Sequence, residues 1–238
     1  MKIAMWSGPR NLSTAMMYSF GNRADCAVVD EPFYVPYLME TGLNHPMRDE
    51  IIASRTSNLA TITAEIIGPN PNQKAHYYQK HMTQHMVGGI PRAWMAEVTN
   101  VFLIRHPARV VASFAKKHPD VAEPDIGFIK QNELFDYICE LGQSPIVIDS
   151  ADIRAEPERM LRILCDELGV DWDPAMLSWP KGGHEADGVW SAHWYDAVHR
   201  STGFAGAEGP LPKLTGRLAE LVELVMPAYE SMAHRKLS

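Results

Sequence analysis

Apolar residues gather in short runs, and the segments between them repeat at helical spacing. Lys2–Ser7 is such a run and stops abruptly at Gly8-Pro9, which predicts a buried strand entering a tight turn. From Leu12 to Phe20 the apolar positions fall three and four apart, with Ser13 and Thr14 near the start, so a helix follows the turn directly. Cys26–Asp30 is a second strand, closed by Glu31-Pro32, and His76–Gln79, Asn100–Ile104 and Ser144–Ile148 are three more. Val101-Phe102-Leu103-Ile104 is uninterrupted, as in a parallel strand buried on both faces. Helices are predicted over Ala108–Lys117 with Pro107 in the first turn, Phe128–Leu141, and Glu156–Leu168 ending at Gly169. A last helix spans 214–234, with Leu218, Leu221, Val222 and Val225 on one face. Strands alternating with helices give an α/β fold, a three-layer α/β/α arrangement around a central parallel sheet of about five strands with right-handed crossovers.

Two stretches break the alternation. Gly68–Asn72 reads as a loop after a helix. Residues 173–212 are rich in Gly, Pro and Trp without a sustained period, and Trp172, Trp179, Trp190 and Trp194 fall in or beside them. A long irregular stretch in a compact domain is more often a lid or binding loop than filler. The expectation is one domain over residues 1–238.

Composition narrows the function. With 46% apolar and 21% charged residues the chain suits a globular protein. Lys plus Arg is 22 against 29 Asp plus Glu, a net charge of −7. That balance argues against nucleic acid or an anionic membrane as the main partner and favours a small molecule over a long acidic polysaccharide. Any anion must then be held locally, against the overall field. Cys26, Cys139 and Cys165 are scattered and odd in number, so neither a disulfide framework nor a C-x-x-C zinc site is expected. No leader-like or membrane-length apolar run is visible, and the expected location is cytoplasmic.

The opening strand–turn–helix is suited to an anion, because backbone N–H groups and hydroxyls converge at the positive end of a helix. It lacks G-x-x-x-x-G-K-[ST], so it is not a Walker A loop, and Arg10 is positioned to supply the cation. The plain alternative is a Ser/Thr-capped helix after a turn. In Arg105-His106-Pro107-Ala108-Arg109-Val110-Val111-Ala112-Ser113, Arg105 ends a buried strand while Ser113 lies along the next helix. The Arg fork and the Ser hydroxyl suit one phosphate gripped from two sides, although surface positions explain each residue alone.

Together these segments resemble a family. Ser-Gly-Pro-Arg-Asn-Leu-Ser-Thr at 7–14 and R-x-P-x-x-x-x-x-S at 105–113 look like the two signatures of PAPS-dependent sulfotransferases, in the family's order. Their fold is P-loop NTPase-like. The resemblance implies that Arg10, Asn11, Ser13 and Thr14 hold the 5′-phosphosulfate of 3′-phosphoadenosine 5′-phosphosulfate (PAPS), and Arg105 and Ser113 its 3′-phosphate. Leu12 stands where the family loop usually has Gly, and Arg10 where many members have Lys. Arg200–Gly206 echoes the family's R-K-G-x-x-G adenine-binding stretch. A similar domain occurs joined to aminotransferase-like regions, although no pyridoxal-enzyme pattern accompanies it here.

The same resemblance directs attention to Lys80-His81-Met82-Thr83-Gln84-His85. Sulfuryl transfer needs a base for the acceptor proton and cations for charge on the leaving phosphate. His81, then His85, is the candidate base, with Lys80 and Arg10 as the cations. The two His are also at metal-ligand spacing, but no H-E-x-x-H pattern accompanies them, and no metal is expected. Asp30-Glu31 mimics a Walker B acid pair; Glu31 and Phe33 are candidate acceptor-side residues. The readings left open are a sulfotransferase-like enzyme, a nucleotide-dependent kinase with Asp30 and Glu31 on Mg²⁺, and a non-catalytic nucleotide-binding module.

Overall fold

A computed structural model describes residues Met1–Ser238. Five strands form one sheet: β1 (Lys2–Ser7), β2 (Cys26–Asp30), β3 (His76–Met82), β4 (Thr99–Ile104) and β5 (Ile146–Asp149). Their order is β2-β3-β1-β4-β5 and every pairing is parallel. The predicted architecture is therefore the observed one.

Side-chain alternation along each strand separates two cores. On one face Ile3, Met5, Tyr78, Val101, Leu103, Ile146 and Ile148 pack beneath α1 (Ser13–Gly21). On the other, Ala4, Trp6, Phe102, Ile104 and Val147 pack beneath a second set of helices. Three helices link β2 to β3: α2 (Tyr34–Thr41), α3 (Arg48–Ser54) and α4 (Leu59–Ile67). After β4 come α5 (Pro107–Ala115), α6 (Glu123–Ile126) and α7 (Phe128–Glu140). Two more follow β5, α8 (Ser150–Ala155) and α9 (Pro157–Leu168); α9 ends at Gly169, which adopts the left-handed conformation of a C-terminal cap.

Met160, Leu161 and Leu164 of α9 complete the α1 side, while Ile62 and Ile66 of α4 and Leu134, Phe135 and Ile138 of α7 cover the other. Residues 173–212 hold a 3₁₀ turn (Pro174–Leu177) and two single-turn helices, α10 (Ser191–Trp194) and α11 (Asp196–His199), and are otherwise irregular, as expected. The last helix, α12 (Arg217–Ala233), buries Leu221, Val222 and Val225 against α5 and α7. It starts three positions later than its pattern suggests, after Gly216 at φ 55°. No helix is long and apolar enough to cross a membrane.

One strand differs from its sequence expectation in a way that matters for the site. β3 does not stop at Gln79 but continues through Lys80 and His81 to Met82. It can do so because both polar side chains find partners inside the protein. Continuing the strand also sends Lys80 and His81 to opposite faces of the sheet.

Candidate active site

All five strands point their carboxyl ends at one rim, where open α/β sheets place ligands. A cleft of about 760 Å³ lies there. Its first wall is the turn after β1. Gly8 is required because a Cβ would meet the Ile126 carbonyl oxygen at 2.4 Å. Arg10 (φ 62°) and Leu12 (φ 71°) both take left-handed backbone to swing the chain into α1. Glycine would adopt the Leu12 conformation without the penalty of a side chain. Asn11 fastens the turn by donating from Nδ2 to the Leu103 carbonyl at 3.3 Å. Leu12 gives α1 no side-chain cap, and the first turn of α1 holds no acid. The N–H groups at its positive end are left to whatever enters the cleft.

The second segment closes on the first. Arg10 Nε donates to Ser113 Oγ at 2.9 Å, and Arg105 donates to the Arg10 carbonyl. The remaining Arg10 nitrogens have no protein partner. Burial, and then the neighbouring Arg105 guanidinium, push the Arg10 pKa below its usual value. A half-buried cation beside another cation calls for an anion. Ser13 and Thr14 line the same wall with their hydroxyls unpaired. Arg105 is also one of three arginines, with Arg109 and Arg154, that close on the carboxylate of Glu208.

Lys80 is a different kind of cation. It is fully buried, and its Nζ donates to Asp30 Oδ1 (2.9 Å), Glu31 and the Tyr195 hydroxyl. A lysine ammonium has three donors, and all three are used. Tyr195 in turn donates to Asp30 and accepts from Trp190 Nε1 at 3.0 Å, and the Gly188 N–H donates to Asp30 Oδ2 at 3.1 Å. Burial alone would lower the Lys80 pKa, but Asp30 and Glu31 hold it above its ordinary value, so the lysine stays charged. The cluster locks the irregular 173–212 segment onto the ends of β2 and β3. Lys80 has no donor left for a leaving phosphate, and Asp30 and Glu31 are already committed to a cation.

His81 is not in the cleft. It stacks on Trp6 (ring centroids 4.6 Å) in the core, and its Nε2 lies 3.1 Å from Gln79 Oε1. Burial, and then the nearby His85, lower its pKa to about 3. Phe33 is likewise a core residue, stacked on Trp94 at 5.5 Å. Strand alternation turns His81 into the core, whereas Phe33 enters it from the start of α2. The cleft wall on this side is made instead by Tyr34 and Tyr37, whose rings stack on His85 at 4.5 and 4.7 Å. His85 Nε2 lies 3.9 Å from Glu31 Oε2, while Nδ1 is buried without a partner. Burial, and then His45 and Lys80, hold its pKa well below the ordinary histidine value, which keeps the ring neutral.

Of the residues singled out from sequence, Arg10, Asn11, Ser13, Thr14, Arg105 and Ser113 meet in one half of the cleft. Glu31, Lys80 and His85 meet in the other. Sequence reasoning missed Arg154, His45, His118 and Tyr195, which also line it. Only the tryptophan density around Tyr195 hinted at any of these. Gly203, Phe204 and Ala205 of the R-K-G-x-x-G echo reach the cleft. No group of three or more His, Cys, Asp or Glu is close enough to share a metal ion.

A family model described as "Sulfotransferase domain" matches residues 1–236. The chain belongs to the sulfotransferase-domain family. Among solved structures, it covers 99% of its length on a sulfotransferase from Alicyclobacillus acidocaldarius (96% of that chain, TM-score 0.56, 11% identity). It likewise covers 99% of its length on the "Sulfotransferase Domain from the Curacin Biosynthetic Pathway" (98% of that chain, TM-score 0.54, 15% identity). Those likenesses show the fold. In sequence it is 35% identical, over 95% of its length, to the Arabidopsis thaliana "Branched-chain-amino-acid aminotransferase-like protein 1". The corresponding protein 2 is 34% identical. The chain spans 40% of the length of each of these two relatives.

Proposed function

We propose that the cleft transfers a sulfuryl group from PAPS to a hydroxyl or amine of a small acceptor. The observation that carries this is the unmatched positive end of the cleft: Arg10, half-buried beside Arg105 and joined to Ser113, in front of an uncapped helix start. The residues present fit the donor. Arg10, the α1 N–H groups, Ser13 and Thr14 would hold the phosphosulfate, and Arg105 with Ser113 the 3′-phosphate.

His85 is the base, not His81. Its Nε2 lies 3.9 Å from Glu31 Oε2, beyond hydrogen-bond distance, and its Nδ1 has no partner in the protein, so the ring has a nitrogen free for the acceptor proton. As the acceptor oxygen or nitrogen bonds to sulfur, His85 takes that proton and the sulfur–phosphate oxygen bond breaks. Arg10 and the α1 terminus then stabilise the charge left on the phosphate. Lys80 contributes by fixing Glu31 and Tyr195 and does not touch the donor. Tyr34, Tyr37 and His45 offer aromatic surface to the acceptor.

The experiment is release of 3′,5′-adenosine bisphosphate (PAP) from PAPS in EDTA across a panel of alcohols, phenols and amines. Acceptor-dependent PAP release supports the reading. Turnover of ATP only with Mg²⁺ moves it to a kinase, and PAP binding without transfer to any acceptor moves it to a non-catalytic module.

A further inference from the structure

Glu208 borders the cationic half of the cleft and holds two arginines that line it, Arg105 and Arg154, in the manner of a ligand. Its carboxylate is nearly buried and meets three guanidinium groups from three separate elements. Arg105 at the end of β4 and Arg154 of α8 donate to Oε1, the latter at 2.9 Å, and Arg109 Nε of α5 lies 2.9 Å from Oε2. Three positive charges on one negative charge leave an excess of two. A carboxylate does not balance that excess, whereas a phosphomonoester, with a charge of about −1.5 to −2 at neutral pH, comes closer.

The segment that brings Glu208 there has little else to hold it. Phe204 packs edge-on to Trp179, and Leu214 packs on the apolar cluster shared by α5 and α12. Between these anchors Ala205, Gly206, Ala207, Gly209, Pro210 and Leu211 are exposed. From Ala205 to Thr215 the backbone makes no hydrogen bond to other backbone groups. Its remaining ties are also to arginines: Arg154 Nε donates to the Gly206 carbonyl at 3.1 Å and Arg109 donates to that of Gly209. An arginine cluster thus holds a short strap, and the strap puts an acid into the cluster.

We propose that Glu208 is an internal phosphate surrogate that sets which nucleotides the cleft accepts. A nucleotide with a 3′-phosphate displaces the Glu208 carboxylate from Arg105, Arg109 and Arg154, and the 205–213 strap moves with it. A nucleotide lacking that phosphate leaves Glu208 in place. This rests on the reading of the cleft as a PAPS site and adds a competitor carried by the chain itself. Displacement lowers apparent affinity in proportion to the fraction of molecules in which Glu208 is already out of the site. If that fraction is a tenth or less, removing the charge tightens PAP binding by about tenfold or more.

The test is isothermal titration of the wild type and Glu208→Gln with PAP and with AMP, which differ only in the 3′-phosphate. Tighter PAP binding to the variant by about tenfold, with AMP changed by less than about twofold, is the expected result. If the wild type prefers PAP but Glu208→Gln binds it equally or more weakly, the carboxylate only organises the arginines. That overturns the inference and leaves the PAPS reading standing. A gain shared by AMP also overturns it, since the effect is then general relief of charge. No preference for PAP over AMP in either protein overturns the PAPS reading and the inference together.

Discussion

In the half of the cleft built by residues 8–14 and 105–113, Arg10 has no carboxylate partner, and Arg105 and Arg109 share a single carboxylate, Glu208, with Arg154. In the half built by residues 30–45 and 80–85, the cation is matched by carboxylates. Arg10 and Lys80 show the contrast. Arg10 has one side-chain hydrogen bond, to a serine, and a second guanidinium for a neighbour. Lys80 has every proton placed on an acceptor of the protein. A buried ion pair with its hydrogen bonds filled is scaffold, and an unfilled cation at a helix start is where a ligand goes. Charge by itself does not mark a site; unmatched charge does.

The largest way to break that contrast is Lys80→Met. It strands Asp30 and Glu31 in the interior, which typically costs about 3–5 kcal/mol. At roughly 2–4 °C per kcal/mol for a chain of this size, the expected fall in Tm is of order 10 °C. A thermal melt unchanged by Lys80→Met would mean that the lysine is not scaffold. Close behind comes His85→Gln, which should lower kcat by about 10²–10⁴ with PAP affinity intact, the range for loss of a general base. His81→Gln, by contrast, should leave kcat within a few-fold, and transfer rates of the two variants measured side by side decide which histidine is the base.

Arg10→Ala comes next: the fold stays, while PAP binding weakens by about 10–100-fold, as expected for a lost charge-assisted contact of about 1.5–3 kcal/mol. Smallest is an acid effect on stability from His81. Its pKa is about 3 in the folded protein against 6.5 when exposed. Between those values the unfolded chain binds the extra proton, so the stability carried by neutral His81 is complete above pH 6.5 and lost as pH falls toward 3. His81→Gln should therefore show a shallower decline of Tm from pH 7 to pH 5 than the wild type. Parallel slopes would contradict the assignment of His81 to the core as a neutral ring.

Much of the fold can be read from the chain because three of its five strands are short apolar runs ended by Gly-Pro, Glu-Pro or Arg-His-Pro. The loop and its partner segment are legible too, since Gly8, Arg10 and Arg105 follow strand ends and Ser113 lies along the helix after the second of them. What the pattern hides is direction. Lys80-His81 reads as a polar loop until β3 is known to continue, and only then does alternation separate the two residues. Nothing local announces that Asp30, Glu31 and Tyr195 converge on Lys80, because Tyr195 arrives from a segment without periodicity. Glu208 is hidden for the same reason: among Ala and Gly residues it looks like a solvated acid, and the arginines that hold it come from β4, α5 and α8. Leu12 gains its meaning from a backbone angle that a residue name does not reveal.

The central claim is that Arg10, which has no carboxylate partner, and the arginine-rich 105–113 segment hold the donor's anions. Titrating wild type and Arg10→Ala with PAP and ADP in EDTA tests it most directly. The account predicts that the wild type binds PAP more tightly than ADP without metal, and that Arg10→Ala loses about tenfold or more in PAP affinity. Equal affinity for PAP and ADP, or an Arg10→Ala protein that binds PAP as its parent does, would contradict it.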